Sequence, residues 1–121
     1  MNKRELGVLG EDIASNFLKA NGVEIIIRNY FTKFGEIDII GIEKKTIIFI
    51  EVKLRKSFKY GEPLESINSK KLMRIKNSAD FFLSENSLFD SYDCRFDIVC
   101  LAYSKVTKTF KIEWFKNQFL S

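Results

Sequence analysis

The segment Ile47-Ile48-Phe49-Ile50-Glu51-Val52-Lys53-Leu54-Arg55 constrains this chain more than any other. Its even positions, Ile48, Ile50, Val52 and Leu54, stay apolar to the end, whereas its odd positions change from Ile47 and Phe49 to Glu51, Lys53 and Arg55. Period-two patterning in β-branched and aromatic residues marks a strand, and side chains on a strand alternate between its faces. Glu51, Lys53 and Arg55 therefore project together from one side, at the end of a strand whose other face is core.

The residues from Glu36 to Ile42 form a second strand candidate, set off by the charged segment Glu43-Lys44-Lys45. A symmetric turn centred between Lys44 and Lys45 places Asp38 opposite Glu51 and Glu36 opposite Lys53, with opposed Cβ atoms about 4.5–5.5 Å apart. Two carboxylates so placed repel each other and add no evident stability. They do offer hard oxygens suited to Mg²⁺ or Mn²⁺. Phosphoryl chemistry asks for that set, because a highly anionic transition state must be neutralised and water made nucleophilic near neutral pH, and a carboxylate-held Mg²⁺ does both. A Lys fixed nearby orients water or stabilises developing charge. Spacing alone leaves a second reading open, a solvated ladder of charges on a sheet surface.

The rest of the chain supplies the frame. Residues 5 to 21 read as a helix, since Leu6, Leu9, Ile13, Phe17 and Ala20 recur at three- and four-residue spacing and Gly22 stands at a helix stop. Val23 to Tyr30 reads as a strand and completes an antiparallel meander with the two strands above. Lys56 to Glu65, with Gly61 and Pro63, reads as a loop. A second helix is expected to start near Asn68, with Ile67 and Leu72 at the staple positions and Leu72, Ile75, Ala79, Phe82 and Leu83 buried. A polar loop over Ser84 to Asp93 leads to strands at Arg95 to Tyr103 and Thr109 to Phe115. The order is αβββαββ, with no repeat or linker, and 121 residues with a 45% apolar share suit a single domain over 1–121.

Charge and composition narrow the function classes. The net charge of +4 favours a polyanionic partner, though weakly. The longest apolar runs, such as Ile25-Ile26-Ile27, fall far short of the roughly 20 residues a membrane helix needs. Met1-Asn2-Lys3-Arg4-Glu5 opens no signal-peptide core, so a cytoplasmic location and no membrane partner are expected. With no His in the chain, Cys94 and Cys100 form neither a Cys/His zinc site nor a Cys/His nucleophile, and read as small residues in or near a strand core.

Asp38, twelve further residues and Glu51-Val52-Lys53 resemble the PD-(D/E)XK nuclease signature, with Ile37 in place of its Pro. More specifically, Gly7-Val8-Leu9-Gly10-Glu11, Arg28-Asn29-Tyr30, Gly35-Glu36-Ile37-Asp38-Ile39-Ile40, Phe49-Ile50-Glu51-Val52-Lys53 and Arg95-Phe96-Asp97 resemble the YraN-type uncharacterised bacterial proteins, in the same order over nearly the whole chain. That family is regarded as similar to Holliday junction resolvases. The resemblance implies a restriction-endonuclease-like α/β fold, a central mixed sheet of about five strands flanked by helices. It also implies a divalent-metal site from Glu11, Asp38, Glu51 and Lys53, with Asp38, Glu51 and Glu11 as metal ligands. On a helical wheel Glu11 falls at the edge of the apolar arc, beside Gly7, Ala14 and Leu18, which suits a sheet-edge position.

The expected activity is hydrolysis of nucleic-acid phosphodiesters, DNA rather than RNA; the similarity to resolvases implies branched or structured substrates and, by analogy, a homodimer whose two sites cut two strands. Arg55, Lys56 and Lys71 are the expected phosphate contacts. Arg28 and Arg95 read as structural ion-pair formers, Arg95 with Asp97. Two rival functions stand beside this one: a non-catalytic nucleic-acid-binding module of a DNA repair or recombination complex, and a protein adaptor binding through Phe-rich segments.

Overall fold

A computed structural model of the chain describes residues 2–55 and 69–118. Helix α1 (Lys3–Ala20) begins where the Asn2 side chain accepts the Glu5 N–H at 2.8 Å and Glu5 reaches back to the Asn2 N–H. This reciprocal cap satisfies two N–H groups that a helix start would otherwise leave bare, and it starts the helix two residues earlier than its apolar spacing does. Past Asn21-Gly22 the Val23 N–H returns to the Leu18 carbonyl at 3.0 Å, and Leu18 and Val23 enter one core.

Strands β1 (Glu24–Thr32), β2 (Gly35–Glu43) and β3 (Thr46–Arg55) form the expected antiparallel meander, followed by helix α2 (Ser69–Glu85), a 3₁₀ turn at Ser87–Phe89, β4 (Asp93–Ser104) and β5 (Thr109–Phe115). The sheet order is β1-β2-β3-β4-β5, with β3 and β4 parallel and β5 antiparallel to β4. A parallel pair cannot be closed by a hairpin, and α2 lies in the crossover that joins β3 to β4. The result is an α/β, restriction-endonuclease-like, three-layer arrangement. The polar loop expected over Ser84 to Asp93 is shorter than its composition indicates, because α2 runs on to Glu85 and β4 already starts at Asp93. The loop from Lys56 to Glu65 and the Asn68 and Ile67 start signals lie outside the described residues.

Each helix covers one face of the sheet. Ala14 and Leu18 of α1 pack with Ile39, Ile48, Ile50, Val99 and Leu101, while Ile75 and Phe82 of α2 pack with Ile37, Ile40, Ile47, Phe49, Phe96, Ile98 and Cys100. Burial on both faces is why β3 reads as an unbroken apolar run as far as Ile50. Cys100 is buried as expected, whereas Cys94 is exposed at the start of β4. Among the described residues no helix is long and apolar enough to cross a membrane.

Alternation breaks at a bulge between Ile25 and Ile27 of β1, and again further along the β1–β2 pair. Ile37 and Ile39 are two residues apart, so a regular strand would give them one face, yet Ile37 joins the α2 core and Ile39 the α1 core. Opposite them, Tyr30 packs on the α2 side while Arg28 pairs with Glu11 and Asp12 of α1. The break therefore falls between Asn29, whose φ of 54° is left-handed, and Asp38. Asn tolerates that conformation better than most residues. Asp38 is left belonging to neither core.

Candidate carboxylate and lysine site

The β2–β3 pairing follows the register expected from the Lys44-Lys45 turn, from Glu43↔Thr46 to Ile39↔Ile50, and then stops. Asp38 and Glu51, and Glu36 and Lys53, are therefore not ladder partners as the extrapolated register has them. The physical reason lies at Asp38, whose Oδ2 accepts the Val52 N–H at 2.8 Å and so occupies the donor that the next backbone bond of the ladder would use. The two strands part there, and the carboxyl of Asp38 is wedged into the fork.

Glu51 is the next residue on β3 after the apolar run and is only 7% exposed, so the solvated-ladder reading fails for it. Helix α2 sits over that face, and Lys71 in its first turn reaches down to place Nζ 2.7 Å from Glu51 Oε1. Lys71, the expected phosphate contact on this helix, thus has this carboxylate as a partner within the protein. Lys53, one step further along the same face of β3, shares a hydrogen bond with Lys71. Burial, and then the neighbouring Lys71, lower the Lys53 amine to about 8. Burial also opposes the charge on Lys71, but its hydrogen bonds to Glu51 and Lys53 and the charges of Glu51 and Asp38 outweigh it and raise its affinity for the proton.

Asp38 is raised to about 7, first by burial, then by the charge of Glu51, with smaller contributions from Glu11 and Glu36; the Val52 N–H pulls the other way. Glu36 is raised by burial and by Glu11 and Glu51. It is the site neighbour that the candidate set left out, although its place opposite Lys53 in the extrapolated register was the available signal. Glu11 comes from the other helical layer, where Arg28 Nη2 lies 3.5 Å from it and 2.8 Å from Asp12. It acts on Asp38 through charge. Among the described residues, no three of His, Cys, Asp and Glu stand close enough together to form a metal cluster.

The donor set nevertheless fits a divalent cation. Asp38 holds its proton up to about 7 because burial and the charge of Glu51 disfavour its ionised form, while Glu51 has taken an ammonium group to satisfy its own. Asp38 and Glu51 are the residues that would hold Mg²⁺ or Mn²⁺, with water and substrate oxygens completing the shell. Arg55 ends β3 on the same alternating face, half-buried, and Lys56 lies outside the described residues.

Arg95 and Asp97 play a structural part, as expected. Asp97 is fully buried and accepts from Arg95 Nε at 3.0 Å, Trp114 Nε1 at 2.9 Å and the Asn117 N–H at 2.8 Å. A groove of about 560 Å³ between α2 and the strands β3 and β4 is lined by Phe49, Leu72, Ala79, Leu83 and Phe96 and includes none of the carboxylates Asp38, Glu51 or Glu11.

Comparison with known proteins agrees with the motifs. A family described as "Uncharacterised protein family UPF0102" matches residues 10–101. A UPF0102 protein of Caldicellulosiruptor bescii is 43% identical over 119 residues, covering 98% of this chain and 100% of the relative. UPF0102 proteins of Alkaliphilus oremlandii and Dictyoglomus turgidum are 40% and 38% identical, again over 98% of this chain and the whole of each relative.

Proposed function

Because the chain belongs to the uncharacterised protein family UPF0102, whose name assigns no activity, its function has to rest on its site, and we propose a metal-dependent endonuclease that hydrolyses DNA phosphodiesters, on branched or otherwise structured DNA. The observation that carries the reading is the half-buried Asp38 and the buried Glu51 beside Lys53. Asp38 is raised to about 7 and Lys53 lowered to about 8, so both titrate near physiological pH. Groups displaced in this way collect where proton transfer and charge stabilisation are needed.

Asp38 and Glu51 would hold Mg²⁺ or Mn²⁺, which when bound supplies a positive charge for the anionic transition state and acidifies water. Lys53 is neutral in part of the population near pH 8, so its amine can accept a hydrogen bond from the attacking water and take up its proton. Lys71 holds Glu51 in place and keeps Lys53 from being fully charged. Glu11 faces the site from α1 and would bind through water. Arg55, Lys56 and Lys71 would draw the phosphate backbone across it, and a homodimer would bring one such site to each strand.

One feature favours the non-catalytic alternative, a DNA-binding module. The Lys71 ammonium already satisfies Glu51 at 2.7 Å, and a permanent bridge there would take the place of a metal. Incubation with linear, nicked, flapped and four-way DNA, in Mn²⁺ and in EDTA, separates the two. Cleavage of at least one structured substrate in Mn²⁺ alone is expected. Binding without cleavage on the whole panel selects the module, and absence of binding at low salt rejects both.

A further inference from the structure

The β1–β2 hairpin carries an aromatic residue that the fold does not use. Phe31 is 72% exposed at the next-to-last position of β1, and among the described residues no aromatic ring packs against it. Its neighbour Phe34 is only 36% exposed, because its ring meets Phe81 of α2 at 6.4 Å and Lys33 Nζ lies 5.2 Å from its centroid. The hairpin is not a loose tip. Thr32 Oγ1 accepts the N–H groups of Phe34 and Gly35 and bonds the buried Ser78 hydroxyl at 2.8 Å, which ties the turn to α2.

Phe31 also lies beside the carboxylate site. It pairs with Glu36 in the β1–β2 ladder, so the two side chains leave the same face, and Glu36 feels the charges of Glu11, Glu51 and Lys71. An opposed pair is about 5 Å apart and two residues of strand add about 7 Å, which puts the Phe31 backbone roughly 9 Å from that of Asp38 on the diagonal across the ladder. At about 3.4 Å per step of a stacked strand, this is two to three nucleotides. The cations of this hairpin lie on its α2 side, where Lys33 Nζ sits over Phe34 and Arg74 packs so closely on Gly35 that a Cβ built there would meet the Arg74 Cβ at 3.3 Å.

We infer that Phe31 is a stacking platform for an unpaired base two to three nucleotides from the phosphate at Asp38 and Glu51, which makes the substrate a nucleic acid with an unpaired base next to the cleavage point. The inference rests on the endonuclease reading above and names its substrate class. A duplex interior offers no free base face, whereas a flap or a junction does. The ring is held by a pinned hairpin, so little ordering entropy opposes stacking.

The test is fluorescence anisotropy with labelled DNA, a linear duplex and the same duplex carrying an unpaired flap, with Ca²⁺ replacing Mn²⁺. Wild type should prefer the flap; Phe31→Ala should lose about 5- to 150-fold on the flap, the equivalent of one stacked base, and Phe31→Tyr should keep most of it. Duplex affinity should stay within twofold for both variants. Phe31 is exposed, so unchanged melting temperatures are expected to show that the variants fold. Equal loss on both DNAs, no loss on either, or a change confined to self-association overturns the inference and leaves the endonuclease reading standing. No DNA binding by the wild type at low salt overturns that reading, and the inference with it.

Discussion

Replacing Asp38 by Asn should make the metal-free protein more stable at pH 8 and leave it unchanged or slightly weaker at pH 5. Asp38 is raised from 3.8 to about 7 by burial and by Glu51. The native state therefore keeps, between those values, a proton that the unfolded chain has released. Its contribution is fully present below the unfolded value and is lost as pH rises through the folded one. At about 1.36 kcal/mol per pH unit the full span would be about 4 kcal/mol, an upper bound. The Asp38 carboxyl is only partly shielded from solvent, which screens the effect, so about 1–2 kcal/mol is expected. Asn keeps an acceptor for the Val52 N–H, so the substitution removes the charge and little else. Urea denaturation of both proteins from pH 5 to 8.5 isolates the difference, because groups remote from Asp38 cancel. Lys53 has the opposite sign: lowered from 10.5 to about 8, it opposes folding below 8 and that penalty is relieved as pH rises toward 10.5, a slope that Lys53→Met should erase. A wild-type minus Asp38→Asn difference that stays constant over pH 5 to 8.5, or that favours the wild type at pH 8, would refute the raised Asp38 carboxyl.

Millimolar Mn²⁺ should raise the melting temperature of the wild type, by the equivalent of about 2.7 kcal/mol at a hundred times Kd, and should not raise that of Asp38→Asn; differential scanning fluorimetry reads both. DNA binding should weaken with salt with a log–log slope of roughly −4 to −5, as four to six phosphate contacts require, and a flat titration would count against any nucleic-acid partner. Gly41→Ala places a Cβ 2.5 Å from Val23 Cγ1 and 3.2 Å from the Glu24 carbonyl, and should cost about 1–3 kcal/mol in urea denaturation; an unchanged midpoint would show that the α1-side core yields there.

The local part of this site was legible in the sequence and the long-range part was not. The bounds of β3, Thr46–Arg55, follow from its alternation, and the register follows from the two-residue turn at Lys44-Lys45, because both are set by neighbours in the chain. Alternation cannot report where it fails. The left-handed Asn29 and the turned carboxyl of Asp38 end the ladder at Ile39↔Ile50, and nothing in a period-two pattern announces that. Lys71 reads as an unfavourable cation at a helix start until α2 is laid over β3, when Glu51 beneath it supplies the reason for its position. Glu11 was legible as an edge residue of α1, but its tether, Arg28, became visible only when β1 was placed beside that helix. Phe31 carries no signal in sequence, since an exposed and a buried Phe look alike on a strand.

The most direct test of the proposed catalytic site is single-turnover cleavage of a flapped or four-way DNA in Mn²⁺ by the wild type and by Asp38→Asn, Glu51→Gln and Lys53→Ala. The account predicts that each variant binds the DNA and cleaves it at least ~10²-fold more slowly, the scale of losing one preorganised electrostatic group. Cleavage at the wild-type rate by all three, with an unchanged metal-induced melting shift, would contradict it.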